Sequence, residues 1–507
     1  MFTLIRKLYH TRLLTVAGLW YLLHAILTTG INLMVLLRIA AKLYPDRIAV
    51  TDDQERSSYI RLWEQAETLA VALHVDYGVH GQQKVAIVCR NHAAAIKTIF
   101  AVSRLGAHLF LLNPEMSADQ LLALADRLQL DFVVYDEQIA HVFKNSVLRN
   151  KSLPAYHPID DSIDRLSSSS SHKNVHLEKM GTGNIVVMTG GTTGQPKSVS
   201  RKPSVLNYLP PFFALLTQAH LDKYQSVYIT TPICHGYGLS FLFIASILGT
   251  EMYFSARFDA ARACSLVAAH KIQVIIVVPL ILERMLKLGP DSLSSLQCII
   301  TGSALLNPAL AQETLEQLGA KLFNLYGSSE AGFCIMATPD VLGQKPESIG
   351  KPVQGVRVKI IQDSDQVGTG MIGHLCIRST WTSNRSGWID TGDLAYRDIE
   401  GDIFLCGRID DMIISGGENV YPIELENILT QHPDIDSVAV FGIPDQEFGQ
   451  RLKALVVKKQ DTALNQSILR DWLKSRVARY QMPAIIEFRD ELAHTCLGKL
   501  DKKSLQG

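Results

Sequence analysis

Three short apolar stretches in this sequence each end in a loop rich in glycine, serine and threonine, and this pattern constrains the fold most. They are Ile185–Met188, Gln297–Thr301 and Lys321–Leu325. Short apolar runs followed by turn residues are typical of strands buried on both faces of a parallel sheet. Ligands of open α/β sheets bind beyond the carboxyl ends of the strands, so we expect the three loops to face one crevice.

Other segments extend this pattern. Lys84–Cys89 and Asp131–Tyr135 are predicted strands, and residues 93–105 between them are a predicted helix. Strands that alternate with helices indicate βαβ units. The short alternating strands at residues 356–378 indicate a β-rich module, and the chain beyond Asp411 has the pattern of a small α+β unit. We therefore predict an α/β fold with a large N-terminal domain of parallel-sheet βαβ layers, a small β-rich module and a small mobile C-terminal domain.

Length and composition narrow the function classes. The 507 residues are enough for several domains, and 49 basic residues balance 49 acidic ones. Nucleic-acid binding usually requires positive charge to pair with the phosphates. This chain has no net positive charge, so we do not expect it to bind nucleic acid. The eight cysteines form no Cys-x-x-Cys pair. Their scatter argues against a zinc site or a disulfide framework, and it suits a reducing, cytoplasmic compartment.

The N-terminus has a different character. Residues 13–37 contain no Asp, Glu, Lys or Arg, and residues 1–50 carry six basic residues against one acid, a local net charge of +5. This apolar stretch of 25 residues is long enough for a bilayer-spanning helix. The same pattern suits a helix lying in the membrane interface or one buried in the first domain. We predict that residues 1–38 form a membrane-associating segment, followed by domains at 39–409 and 410–507.

The loop Thr189–Lys197 suggests a ligand. Its glycines let backbone N–H groups approach an anion, its threonines add donors, and Lys197 adds a positive charge. Gln195 and Pro196 separate Gly194 from Lys197, so this is not the Walker-type loop, in which Gly-Lys-Ser/Thr opens a helix. The sequence alone leaves a surface turn and a polyphosphate-binding loop as alternatives.

Five motifs in order make the chain resemble the adenylate-forming superfamily, which includes acyl-CoA synthetases, nonribosomal-peptide adenylation domains and luciferases. They are Gly191–Lys197, Tyr326–Glu330, Asp390–Asp393, Gly407–Glu426 and Gly498-Lys499. The resemblance extends from about residue 39 to the end of the chain, and it is greatest to fatty acyl-CoA synthetases. The chain departs from the family pattern at Gly190, Ser198, Ser329 and residues 493–497.

This resemblance implies roles for individual residues. Thr189, Thr192, Thr193 and Lys197 would hold the β- and γ-phosphates of ATP, and Glu330 with Thr193 would hold Mg²⁺. Lys499 neutralises charge between the carboxylate and the α-phosphate, so Lys499, Glu330, Lys197 and Thr193 are the expected catalytic residues. The other residues implied to contact ATP or CoA are Gly191, Gly194, Gly302, Ser303, Ala304, Tyr326, Gly327, Ser329, Asp393, Arg408, Asp410, Gly416 and Gly417.

Several of these roles are specific. Asp393 would accept both ribose hydroxyls, Arg408 would reach the ribose or phosphate, and Tyr326 would stack near adenine. Asp410 would be the hinge of the C-terminal domain, and Gly416-Gly417 would line the path of the CoA thiol. His235 stands where the family has a gate beside the acyl pocket, but a single histidine is as often a structural residue.

The resemblance predicts a fatty acid–CoA ligase that uses ATP, Mg²⁺ and coenzyme A through an acyl-adenylate. The apolar residues 232–243 and 277–282 would bind a medium or long alkyl chain. The expected location is the cytoplasmic face of a membrane, reached through residues 13–37. Transfer to an acyl carrier protein, a non-catalytic adenylate-binding protein, and an aryl or amino-acid substrate stay open as alternatives.

Overall fold

The structure is a computed structural model with two compact units. It describes residues 6–505 except 10, 145, 147, 149–150, 173, 190–196, 202–204, 329, 380, 382–386, 416–417, 447, 496–498 and 502–503. The first unit comprises Met1–Val277 and Asp291–Ile299, and the second comprises Val278–Pro290 and Ile300–Gly507. The strands of each unit are described separately.

A six-stranded sheet forms one core of the first unit. Its strands lie in the spatial order Ser152–Pro154, Phe132–Tyr135, Lys84–Val88, His108–Leu111, Ile185–Thr189 and Lys197–Arg201. All neighbours are parallel except the last pair, in which Thr189 lies opposite Lys197 in an antiparallel ladder. Val133 and Val134 are fully buried, as expected for the unbroken apolar strands of a parallel sheet.

A second sheet in this unit is also largely parallel. Its strands lie in the order Val274–Val277, Ser226–Ile229, Glu251–Tyr253, Ile48–Thr51 and Arg56–Ser58, with only the last pair antiparallel. The helices whose bounds are described in this unit are Val16–Thr29, Met34–Leu43, Tyr59–Val75, Ala93–Arg104, Ala118–Leu128, Ala140–Lys144, Ile163–Ser167, Val205–Gln218, Gly236–Leu248 and Ala260–His270.

The apolar N-terminal stretch forms two helices rather than one. The outer helix, Val16–Thr29, begins at Thr15, whose side chain accepts a hydrogen bond from the Gly18 amide, and it ends at Gly30. The inner helix, Met34–Leu43, is buried along most of its length. A single helix over residues 13–37 therefore does not form, and no helix within the described residues is long and apolar enough to cross a membrane.

The second unit contains an antiparallel β-rich region. Its strands lie in the order Asp365–Gln366, Arg357–Gln362, Gly373–Arg378, Ile389–Arg397, Ile403–Arg408, Ser348–Pro352, Gly332–Ala337 and Leu322–Ser328. The strand Cys298–Gly302 contains a boundary between the units. Buried side chains such as Ile335, Leu375 and Ile377 form the core of this region. The helices here are Pro279–Leu286, Pro308–Leu318 and Pro339–Gln344.

The last hundred residues form a compact α+β module within the second unit. Its strands lie in the order Glu418–Val420, Ile413–Ser415, Gly449–Lys458 and Ile435–Asp445, and Ile485–Arg489 pairs in parallel with Gly449–Lys458. The helices Pro422–Leu429 and Gln466–Leu473 cover this sheet. Leu425, Leu429, Leu469 and Leu473 lie in its buried apolar core.

The predicted fold class is confirmed. The parallel strands, the β-rich module and the C-terminal α+β module all form where the sequence places them, with ends that differ by a few residues. Residues 160–182, which lead to the strand Ile185–Thr189, contain the short helix Ile163–Ser167, and both Ile163 and Leu166 are buried. The domain boundaries at 38/39 and 409/410 stay predictions.

Candidate active site

Asp393 is the centre of a polar cluster in the second unit. The strand Ile389–Arg397 pairs antiparallel with Ile403–Arg408, and the register sets Asp393 opposite Arg408. Arg408 Nη1 donates to Asp393 Oδ1 at 3.0 Å, and Arg408 Nη2 lies 3.8 Å from a carboxylate oxygen of Asp410. Burial lowers the pKa of Arg408, but the Asp393 and Asp410 carboxylates outweigh it, and the net pKa is raised. Arg408 therefore stays a cation beside Asp393.

Tyr326 joins the cluster from the strand Leu322–Ser328. Its hydroxyl donates to Asp393 Oδ2 at 2.5 Å. Burial first, and the nearby Asp393 charge second, raise the pKa of Tyr326 well above its ordinary value, so the phenol keeps its proton. Each Asp393 oxygen thus accepts one protein donor. A carboxylate has about four lone-pair positions, so each oxygen can still accept a ligand hydroxyl.

Thr391 and Gly392 support this arrangement. The Thr391 hydroxyl donates to the Leu375 carbonyl at 2.9 Å and accepts from the Asp393 amide at 3.2 Å, and the Thr391 carbonyl accepts from Arg408 Nη1 at 2.9 Å. Gly392 has φ +74°, and a Cβ there would lie 2.8 Å from Arg408 Nη2. Glycine at this position therefore provides both the backbone conformation and the space for the guanidinium.

Lys499 lies within the electrostatic reach of the same cluster. The protein around its ammonium group lowers the pKa of Lys499, the Asp393 carboxylate raises it in part, and Arg408 lowers it further. Lys499 as a residue is nevertheless exposed to solvent. Its backbone is held by a hydrogen bond from the Thr495 amide to the Lys499 carbonyl at 2.7 Å and by a bridge between His494 and Leu500. The Asp393 carboxylate and the Arg408 guanidinium are thus both close enough to the Lys499 ammonium group to shift its pKa.

The segment Gly302–Ala304 shows backbone strain. Ser303 has φ +66°, which is uncommon for a residue other than glycine. The Oγ1 of Thr301, immediately before it, is buried without a protein hydrogen-bond partner. Strained residues concentrate at functional sites, so this conformation supports a ligand-contacting role for the segment. The sequence does not indicate this backbone conformation at Ser303, because serine adopts it rarely.

Other predicted residues are placed individually. Glu330 is exposed, two residues beyond the strand Leu322–Ser328 that contains Tyr326 and Gly327. Asp410 is exposed in the 3₁₀ turn Ile409–Asp411. In the first unit, His235 is half-buried just before the helix Gly236–Leu248. The predicted residues that lie outside the described part of the chain are Gly191, Thr192, Thr193, Gly194, Ser329, Gly416 and Gly417.

Glu330 and a buried group of three side chains are the candidate metal ligands among the described residues. An exposed carboxylate such as Glu330 suits Mg²⁺, which prefers oxygen ligands and keeps several waters. Cys89, His92 and Asp136 are buried in the first unit, with possible ligand atoms within 4.8 Å of one another. His92 Nε2 lies 2.7 Å from Asp136 Oδ1, and His92 Nδ1 accepts from the Ala95 amide. Both ring nitrogens are thus used within the protein, as expected for a structural network.

Family models match most of the chain. The model described as AMP-binding enzyme matches residues 37–385, and the model described as AMP-binding enzyme C-terminal domain matches residues 424–499. The first match covers more than half of the chain and includes Tyr326 and the predicted phosphate loop. The second ends at Lys499. Asp393 and Arg408 lie in the interval between the two.

Two relatives align along nearly their whole length. The 2-succinylbenzoate–CoA ligase of Geobacillus kaustophilus is 28% identical over 491 residues, which cover 93% of this chain and 96% of the relative. The indoleacetate–CoA ligase of Aromatoleum aromaticum is 30% identical over 495 residues, which cover 92% and 96%.

Solved structures agree with the fold. The o-succinylbenzoate CoA synthetase of Bacillus subtilis, in complex with its acyl-adenylate intermediate, superposes with a TM-score of 0.81 and 25% identity over 93% of this chain and 98% of that chain. A structure of that enzyme with ATP and magnesium ion has a TM-score of 0.79. The amide bond synthetase of Marinactinospora thermotolerans has a TM-score of 0.82 at 23% identity, over 93% of this chain and 99% of that one, and it supports the fold alone.

Proposed function

The chain belongs to the AMP-binding enzyme family, and from this premise we propose that it is an ATP-dependent acid–CoA ligase working through an acyl-adenylate. The observation that carries the proposal is the cluster of Asp393, Tyr326 and Arg408 with Lys499 in electrostatic reach. It combines a carboxylate with free acceptor positions and two cations. A nucleotide has hydroxyls and phosphates that match these groups.

In the first half-reaction, a carboxylate oxygen attacks the α-phosphorus of ATP and the bond to pyrophosphate breaks. The difficulty is that an anion must approach a polyanion. Asp393 would hold the ribose hydroxyls, while Arg408 and Lys499 would offset the charge that builds up at the α-phosphate. Mg²⁺ bound near Glu330 and Thr193 would screen the phosphate oxygens. Thr189 and Lys197, opposite each other in one strand pair, are proposed for the β- and γ-phosphates.

In the second half-reaction, the thiol of CoA attacks the acyl carbonyl and AMP leaves. Lys499 is not needed to bring two anions together in this step, because the attacking group is a thiol. We propose that the C-terminal domain rotates about Asp410, which removes Lys499 and brings Gly416-Gly417 towards the reacting atoms. Movement of a domain between steps is a general way to order two reactions in one site.

The acid is proposed more broadly than the sequence predicted. The two aligned relatives are named for 2-succinylbenzoate and indoleacetate, both aromatic acids. We therefore propose an apolar carboxylic acid, with aromatic acids as the first candidates and medium or long fatty acids as the second. The apolar residues 232–243 and 277–282 suit both classes.

The acceptor is proposed to be coenzyme A, because both aligned relatives are named as CoA ligases. An acyl carrier protein would differ only in the thiol that attacks. A non-catalytic adenylate-binding protein is disfavoured because Glu330, Asp393, Arg408 and Lys499 are all present.

The test is a substrate screen with the full chain, ATP and Mg²⁺. Carboxylate-dependent ATP–pyrophosphate exchange is measured for indoleacetate, 2-succinylbenzoate and fatty acids of graded length. The best acid is then supplied with CoA or with a carrier protein, and the thioester is measured. AMP and pyrophosphate are the expected products. The proposal would be contradicted if none of the acids supported ATP–pyrophosphate exchange, or if ADP were the stoichiometric product.

The predicted location on a membrane surface also stays a proposal. It depends on residues 13–37, whose charge-free apolar sequence contains the outer helix and the first residues of the inner helix. An apolar acid partitions into bilayers, so an enzyme held at their surface would meet its substrate there.

A further inference from the structure

The outer helix, Val16–Thr29, turns its large apolar side chains towards solvent rather than towards the protein core. Only Gly18, Ala25 and Thr29 are buried. Successive residues turn by about 100°, so these three share one side of the helix. The opposite side presents large apolar side chains to solvent, and we call it the outer face. Its members are Val16, Leu19, Trp20, Leu23 and Leu27.

The exposure of this face is substantial. Trp20 is 61% exposed, Leu23 51% and Leu27 55%, and Ile31, just beyond the helix, is 61% exposed. No charged side chain interrupts residues 13–37. A contiguous apolar surface of this kind usually marks an interaction site, because leaving it in water is unfavourable.

The helix is firmly attached on its other side. Asn32 donates to the carbonyls of Thr29 and Met180, and Arg38 of the inner helix donates to the Thr28 hydroxyl. The small residues Gly18 and Ala25 allow close packing on the inner side. The outer helix is therefore held at the surface of the first unit with its outer face turned away from the core.

Exposed basic side chains precede the outer helix at residue 12 and follow it at residues 42 and 47. Arg12 and Arg47 are exposed and lie near the same aromatic ring, with guanidinium carbons 5.8 and 4.7 Å from the Tyr44 ring centroid. Lys42 is exposed as well, 5.2 Å from the Trp63 ring centroid. We call Arg12, Lys42 and Arg47 the basic cluster. The exposed Asp46 is the single acid within residues 1–50.

We propose that the outer face docks in the plane of an anionic lipid surface, with the basic cluster against the headgroups. The outer helix has 14 residues and is about 21 Å long, which is shorter than a hydrocarbon core of about 30 Å. It therefore lies in the interface rather than across the bilayer. Trp20 has the amphipathic ring that favours this depth, and the neighbouring cations match anionic headgroups.

This inference extends the proposed location on a membrane and rests on it, but lipid binding needs no acid substrate. The surface would place the enzyme where apolar acids concentrate. Ligase activity on short, water-soluble acids is expected to be independent of lipid, because the outer helix lies in the first unit and none of its residues belongs to the Asp393 cluster.

The experiment is vesicle flotation of the full chain with phosphatidylcholine alone and with phosphatidylcholine mixed with phosphatidylglycerol. The outer-face variant is Trp20→Gln/Leu23→Gln/Leu27→Gln. Its matched control, Val75→Gln/Ile159→Gln/Ile399→Gln, removes three exposed apolar side chains elsewhere. Wild type and control should float with the anionic vesicles. The outer-face variant should lose about 100-fold or more in partitioning, from the burial lost at three large side chains.

A second pair of variants tests the charge. Arg12→Gln/Arg47→Gln should lose about 25-fold on the anionic vesicles and little on the neutral ones, at about fivefold for each cation. Arg12→Lys/Arg47→Lys keeps both charges and should bind as wild type does. Thermal unfolding of each variant shows that it is folded.

Three outcomes would overturn the proposal. In the first, the wild-type protein floats with neither kind of vesicle. In the second, the outer-face variant and its control lose vesicle partitioning equally. In the third, the wild-type protein binds no vesicles but forms a dimer, and the outer-face variant does not form it. The last would make the face an interface between copies. Ligase assays without lipid on the same samples separate this inference from the proposed function, because vesicle binding without ligase activity would contradict only the latter.

Discussion

The Asp393 cluster and the outer face of the helix Val16–Thr29 are opposite solutions to placing side chains at a surface. In the cluster, Asp393 and Arg408 are partners within the chain: Tyr326 and Arg408 donate to Asp393, and Thr391 fixes the backbone. On the outer face, large apolar side chains are exposed with nothing over them in the monomer. The first arrangement is organised before its ligand binds, whereas the second lacks most of its contacts.

This difference separates two kinds of consequence. Preorganised donors and charges stabilise a transition state without reorganisation, so changes in the cluster should alter chemistry. Exposed apolar side chains contribute little to folding, so changes on the outer face should alter association and leave chemistry intact. Substitutions in the two regions should therefore have separable effects on chemistry and on association.

Lys499→Ala should have the largest effect, and in one half-reaction only. The ammonium offsets charge when the carboxylate meets the α-phosphate, and loss of one preorganised donor typically costs about 10²–10³ in rate. ATP–pyrophosphate exchange should fall by this factor. Thioester formation from synthetic acyl-adenylate and CoA should stay near the wild-type rate.

The matched control is Lys474→Ala, which removes an exposed lysine of the same module that pairs with Asp471. It should leave both half-reactions unchanged. Equal damage to both half-reactions in Lys499→Ala, or damage to neither, would show that the role assigned to Lys499 is wrong.

Gly392→Ala should have the next largest effect. The new Cβ would lie 2.8 Å from Arg408 Nη2, so the guanidinium must move from Asp393. Loss of a charged hydrogen bond of about 1.5–3 kcal/mol corresponds to about 10- to 100-fold in adenylation. Gly401→Ala is the control, because Gly401 also has a positive φ, +88°, but a Cβ there meets nothing within 4 Å.

Both glycine variants should lose similar stability from backbone strain, and only Gly392→Ala should lose adenylation. Thermal unfolding and pyrophosphate exchange on the same samples measure the two effects. A similar loss of exchange in Gly401→Ala would mean that strain, and not displacement of Arg408, explains the result.

The pH dependence of adenylation gives a smaller effect. Lys499 must be protonated to offset charge, so the rate should fall as pH rises through its pKa. Because the surrounding protein lowers that pKa, the fall should begin below the pH expected of an ordinary lysine. Lys499→Arg should move the alkaline fall out of the accessible range, since a guanidinium does not deprotonate there. An unchanged alkaline fall in that variant would assign it to another group.

Much of this architecture could be predicted from sequence. The strands Lys84–Val88 and Gly373–Arg378 follow from short apolar or alternating runs. Motifs named Tyr326, Asp393 and Arg408 individually. Their hydrogen bonds could not be predicted, because the register that sets Asp393 opposite Arg408 depends on how two strands pair, and a motif carries no such information.

Which helices are buried in the protein and which are exposed could not be predicted from the sequence. The helix Ala93–Arg104 is buried at all twelve positions, and it includes Lys97, which is paired with Glu55 and Asp164. The helix Val16–Thr29 has no charge and is mostly exposed. Hydropathy alone would predict that Val16–Thr29 is the more buried of these two helices, which is the reverse of what the structure shows. Only tertiary contacts show that Lys97 has partners inside the protein and that Leu23 has solvent around it.

The smallest effect is expected on the outer face itself. Leu23→Gln replaces a side chain that is 51% exposed with one of similar helix propensity, so the free energy of unfolding should change by no more than about 0.5 kcal/mol. Ala25→Leu in the same helix is the contrast. Ala25 is 1% exposed on the packed side, and adding methylenes there should cost about 1–3 kcal/mol. Chemical denaturation without lipid measures both. A cost for Leu23→Gln as large as that for Ala25→Leu would mean that the outer face is packed against protein in solution, and the contrast with the Asp393 cluster would then fail at the outer face.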